Sequence, residues 1–212
     1  MPRLALRPLS LIAVLFLMAA VVGAQAPVPT NEDQETARTV VDLLERGHMA
    51  RPVIDDEIAI KWCDNFIKDL DPQKYYFLKA DVEEFRKQAT SLDDKIHEGN
   101  IDFSRTVFDR FLQRHDERYK TVMDLLGKKF DFTVDEYLAD DPDKIDYPVD
   151  KAEADERWRK KLKYEMLQLR LDDTSEEESI NKLTIRYRDR NRIFHQFDHE
   201  ELLEVYLSSL TR

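Results

Sequence analysis

A chain of 212 residues with 36% charged and 42% apolar side chains has the composition of one soluble, helix-rich domain. One cysteine excludes an internal disulfide framework and a Cys-rich zinc or iron–sulfur centre, and four scattered glycines leave no room for a GxGxxG fingerprint or a phosphate-cradling P-loop. A net charge of −11 argues against a nucleic-acid binder, which needs clustered Lys and Arg to displace counterions.

In chain order, Arg3 and Arg7 precede an apolar run over 9–22 that ends in Gly23-Ala24-Gln25-Ala26. This pattern predicts a secretory signal peptide over 1–26 with cleavage after Ala26, since a fourteen-residue run is short for a span of about 20. Its removal takes the net charge to −13 and yields an exported, periplasmic product without stable membrane insertion. Residues 27–35 read as a leader, and 36–212 as the folded domain.

From there the apolar residues keep a helical period with no sustained alternation, which predicts an all-α fold: an irregular bundle of about seven or eight helices with one long acidic loop. The first helix covers 31–46 and stops at Gly47. In the second, Ile54, Ile58, Trp62, Phe66 and Leu70 recur every four residues, widened by Ala59, Cys63 and Ile67, so Cys63 is expected as a buried, inert thiol. Asp71-Pro72 ends it. Tyr75-Tyr76-Phe77-Leu78 is too apolar for solvent and too short for a helix, and reads as an extended plug before a helix beginning at 79–81.

A short helix near 92–97 ends at Gly99-Asn100. The longest helix then runs over 102–126, with Phe103, Val107, Phe111, Tyr119, Val122 and Leu126 inward, and Arg110, Arg114, Glu117 and Arg118 largely off that stripe. Residues 130–149 carry six aspartates and two prolines without EF-hand spacing, and read as a solvated acidic loop. Three capping boxes, Asp150 to Glu153, Ser175 to Glu178 and Asp198 to Glu201, open the last three helices.

Chemistry is sparse. His195 and His199 share metal-ligand spacing, but Gln196 stands where HExxH requires Glu, and Asp198 reads as a cap that splits the pair, so no metal and no cofactor is assigned. Acid pairs such as Asp69 with Asp71 are adjacent only in sequence, and no nucleophile elbow occurs. Most aromatic side chains fall on core stripes; Tyr75 and Tyr76, outside any helix, could line a surface for an extended polypeptide.

Several segments, in order, resemble one family. Leu70-Asp71-Pro72 with Tyr75-Tyr76-Phe77-Leu78, Asp81 and Phe85 is similar to the "LDP…YFL…D…F" segment of the N-terminal domain of tail-specific, or carboxy-terminal processing, proteases. Phe130-Asp131-Phe132-Thr133 resembles its "FDFT", Trp158-Arg159-Lys160 its "WRKR"-like run, and 206–211 its closing helix. The resemblance implies an exported serine endopeptidase whose PDZ domain and Ser–Lys dyad lie downstream of this helical domain. No position here matches the serine, the lysine or the PDZ loop, so no catalytic residue is assigned and the chain is expected to be inactive alone.

What the resemblance implies is a scaffold that packs on the protease body, its catalytic and PDZ domains, and helps admit unfolded polypeptide. The alternative is a stand-alone periplasmic polypeptide-binding or adaptor module. A domain made to lie against a protease body is expected to leave an apolar patch near Leu202, Val205, Tyr206 and Leu210, whereas a self-sufficient module covers that helix.

Overall fold

The four-residue stripe of the second helix organises the molecule. The computed structural model describes residues 25–47, 53–139 and 141–211. Within them lie eight α-helices: α1 (Asn31–Gly47), α2 (Asp56–Leu70), α3 (Lys79–Arg86), α4 (Leu92–His97), α5 (Asp102–Leu126), α6 (Lys151–Leu171), α7 (Glu176–His195) and α8 (His199–Leu210), with a 3-10 turn at Ala89–Ser91. No strand occurs among the described residues, and no helix there is long and apolar enough to cross a membrane. The signal segment lies outside the described residues, apart from Gln25 and Ala26. Ala26, expected as its last residue, is 3% exposed, and its N–H donates to Asp109.

Two apolar cores form. The larger gathers α1 to α5 with α8 around Trp62, Phe66, Phe77, Phe85 and Phe111; the smaller gathers α5, α6 and α7 around Val122, Trp158, Leu162, Leu183 and Tyr187. The long α5 serves both because its stripe drifts around the helix over 25 residues, facing the first core with Phe103, Val107 and Phe111 and the second with Val122 and Leu126. Each fully buried large side chain contributes roughly 1.5–3 kcal/mol.

The last helix closes the larger core. Trp62 Nε1 donates to the Tyr206 carbonyl at 2.8 Å, the two rings lie 4.3 Å apart, and Asn65 donates to the Ser209 carbonyl at 3.1 Å. Leu202, Leu203, Tyr206 and Leu207 are therefore buried, and Val205 and Leu210 half-buried. The apolar patch expected on this helix is absent, because α2 presents a stripe wide enough to take it.

Helix ends follow the sequence, with the capping boxes amended. α1 starts inside the stretch read as leader: Thr30 N–H and Oγ1 donate to the Asp33 carboxylate at 2.6 and 2.9 Å, while Asp33 N–H donates back to Thr30 Oγ1 at 3.2 Å. Of the three expected capping boxes only Asp198 with Glu201 is reciprocal. Asp150 and Ser175 accept from Glu153 N and Glu178 N, but the Glu153 carboxylate reaches past Asp150 to Val149 N. α4 ends in a Schellman turn, with Asn100 N–H on the Lys95 carbonyl at 2.8 Å and Gly99 at φ 75°.

The cationic face of α5 departs furthest from expectation. Arg118 is fully buried, with Nη1 on Asp155 at 2.6 Å. Arg110 and Arg114 converge on Asp81 of α3, whose carboxylate also caps its own helix by accepting from Leu78 N at 2.9 Å. Their partners lie 29 to 37 positions away in sequence, so helical period alone placed them outside.

A candidate polypeptide-binding cleft

The chain between α2 and α3, residues 71–78, is the joint between the two cores, and its shape is imposed by one carboxylate. Asp71, 1% exposed, accepts from Tyr75 N at 2.8 Å through Oδ1 and from Tyr76 N and Phe77 N at 2.8 and 2.9 Å through Oδ2. Three consecutive amides thus curl around one side chain, with Lys74 at φ 55° to make the turn. Burial pushes the Asp71 carboxyl up to about 6, against the pull of those donors. Asp71 is a structural staple, a role that its neighbour Asp69 and the local charge pattern did not reveal.

This staple sends consecutive side chains to different places. Phe77 enters the larger core, 5.5 Å from Phe85 and 5.9 Å from Phe111. Tyr75 enters the smaller, its ring 5.6 Å from Trp158, whose Nε1 donates to the Tyr75 carbonyl at 2.8 Å. Tyr76 stands between, packing on Phe111 at 5.1 Å, His115 at 5.4 Å and Trp158 at 5.6 Å. The reading of this segment as an extended plug holds in substance: a non-helical turn that fills both cores.

Beside Tyr75 and Tyr76 opens a cleft of ≈ 430 Å³. Phe108 of α5, Phe194 at the end of α7, Phe197 and Val205 of α8 supply its apolar lining, while Lys161 of α6 and Arg190 of α7 supply positive charge. The Lys161 ammonium lies 4.3 Å from the Tyr75 ring centroid and 5.1 Å from that of Trp158. Burial lowers its pKa, with Glu165 opposing. Asp69 and Asp71 line the cleft as well, so its charges are mixed. Its aromatic and apolar walls are of a kind that suits an extended apolar segment.

Of the residues singled out by sequence, Tyr75, Tyr76 and Val205 are brought together at this cleft, whereas Leu202 and Tyr206 belong to the core and Leu210 packs against it. Sequence reasoning missed Lys161, Arg190, Phe194 and Phe197. Lys161 carries only a faint signal, lying three residues beyond Trp158 on one helix face.

His195 and His199 are not brought together. His195 Nε2 lies 2.7 Å from Asp116 Oδ1, and His199 Nδ1 lies 3.1 Å from Asp33 Oδ1, so the Asp198 cap splits the pair as read. Cys63 is buried in the core and burial pushes its thiol up to about 12, which keeps it inert.

The 130–149 stretch is irregular but tied down: the Glu136 carboxylate receives Arg159 and Lys163, and Lys74 Nζ donates to the Ile145 carbonyl at 2.7 Å. It also displays apolar surface. Tyr137 is 91% exposed and, with Val134, Phe132, Tyr164 and Leu167, borders a second hollow against α6.

Comparison with known sequences agrees with the resemblance. A family model described as "Tail specific protease N-terminal domain" matches residues 40–212. A curated relative named "Tail-specific protease", from Haemophilus influenzae, is 28% identical over 187 residues, which cover 88% of this chain and 27% of the relative. The chain therefore spans about a quarter of that relative's length.

Proposed function

Because this chain belongs to the family of tail-specific protease N-terminal domains, we propose that it is the helical, substrate-admitting scaffold of an exported, periplasmic serine endopeptidase. In this reading the cleft beside Tyr75 and Tyr76 receives an unfolded apolar segment, while the exposed face around Val134, Tyr137 and Tyr164 packs on the proteolytic body. The observation that carries the reading is an apolar, aromatic-walled cleft set in a domain of this family. The acidic balance fits solubility and gives nucleic acid no purchase.

A second reading, a self-contained polypeptide-binding module, draws on α8, which seals its own core through Trp62 and Tyr206. Both readings require binding without cleavage. Fluorescence anisotropy with a labelled, permanently unfolded polypeptide ending in apolar residues tests this, using purified residues 27–212. Saturable binding, weakened at least about tenfold by Phe197→Asp and unaccompanied by cleavage, is expected. Serine-dependent turnover, or binding indifferent to that substitution, defeats the assignment. Adding the remaining part of a tail-specific protease then separates the two readings, since only the scaffold forms a complex with it.

A further inference from the structure

α5 and α7 meet at a point where three metal-binding side chains converge. His115 and Asp116 come from the middle of α5 and His195 is the last residue of α7. Each offers one donor atom, and the three atoms lie within 4.8 Å of one another. Asp116 Oδ1 stands between the rings, 2.7 Å from His195 Nε2 and 4.0 Å from His115 Nδ1.

The second observation concerns His115 itself. The residue is 3% exposed, its ring wedged among Tyr76, Phe111 and Phe194, yet Nδ1 has no hydrogen-bond partner. A buried polar nitrogen without a partner is unfavourable and calls for an explanation. That nitrogen lies on the side where Asp116 and His195 gather. Two imidazoles and a carboxylate form a zinc-type donor set, and zinc bonds of about 2.0–2.1 Å need donor atoms only about 3.3 Å apart, within reach of small side-chain rotations. Asp116 and His195 are partly exposed, which leaves a path and a fourth position for water.

We propose that His115, Asp116 and His195 form a binding site for one divalent first-row transition ion of the zinc class, clamping the end of α7 onto α5. Arg190, whose charge is felt at His115, opposes a dication there and weakens its binding. Since the neighbouring Phe194 lines the cleft, a bound ion would stiffen that wall.

Calorimetric titration of the chelator-stripped protein with zinc chloride tests the proposal. One ion per chain is expected, with binding weakened at least about 100-fold by His195→Ala and by Asp116→Asn and unchanged by His199→Ala. In the unaltered protein, zinc should shift the imidazole nitrogen resonances of His115 and His195 and leave those of His97 and His199 in place. Absence of binding, binding indifferent to His195→Ala and Asp116→Asn, or resonance shifts confined to other histidines overturns it.

Discussion

Asp81→Asn tests the claim that a buried carboxylate, invisible to helical periodicity, fastens the cleft-forming segment to α5. Asp81 is 1% exposed in its side chain. Oδ2 accepts from Leu78 N at 2.9 Å and Arg114 Nε at 2.8 Å, while Oδ1 accepts from Arg114 Nη2 at 3.0 Å and from Arg110. Asparagine keeps one of those oxygens and turns an NH2 toward the donors of the other, so half the set is lost. Two charge-assisted bonds are worth about 3–6 kcal/mol. The cations are not stranded, however: Arg110 retains Glu84 at 3.3 Å and Arg114 retains Glu117 at 3.0 Å, and their side chains, 28% and 17% exposed, recover some water. The net loss should be about 3 kcal/mol. Burial alone would raise the Asp81 carboxyl, but the Arg114 and Leu78 donors overcome it and hold it below the ordinary aspartate value. Its contribution is thus complete above pH 3.8 and is lost as pH falls through the lower folded-state pKa. Urea unfolding followed by Trp62 and Trp158 fluorescence should show a constant gap between the two proteins from pH 5 to 8 that closes below pH 4. A loss under about 1 kcal/mol at pH 7, or a gap that widens on acidification, refutes the reasoning.

Asp71→Asn should remove a slope of the opposite sign. Between pH 3.8 and about 6 the folded state keeps a proton that the unfolded state has released, so the Asp71 contribution weakens as pH rises through that window, by up to about 3 kcal/mol; equal slopes for the two proteins would contradict this. Gly99→Ala should cost about 1–2 kcal/mol in thermal or urea unfolding, because φ is 75° there and a Cβ would lie 2.4 Å from Arg38 Nε, displacing a guanidinium that donates to the Glu98 carbonyl; a neutral outcome would show the α4 turn to be more tolerant than its geometry. Cys63 should resist a thiol reagent at pH 8 in the native protein and react fully in denaturant, and rapid native labelling would mean that the α2 face opens.

Much of the fold was legible because it is written at short range. The four-residue spacing of α2, the Gly99 terminator and the Asp198–Glu201 cap are all local signals, and all three appear where read. What periodicity missed shares a cause. Arg118, Asp81 and Asp71 are polar side chains whose burial depends on tertiary partners or on a chain that wraps them, and no period marks such positions. Periodicity also located the apolar face of α8 correctly without naming what covers it, so Leu202 and Tyr206 were assigned to an interface when α2 was the neighbour. In the candidate cleft, Tyr75 and Tyr76 stood out as aromatics outside a helix. Lys161 and Arg190 carried no comparable signal, because the surface they share arises only when α6 and α7 pack together.

The bond from Trp62 to the Tyr206 carbonyl joins residues 144 positions apart, and the core around it remains open until α8 arrives. A growing chain that has released α2 from the ribosome therefore exposes Trp62, Phe66 and Ile67 until α8 has also been made. The larger core of this domain is thus completed by long-range pairing, with α8 supplying its last wall.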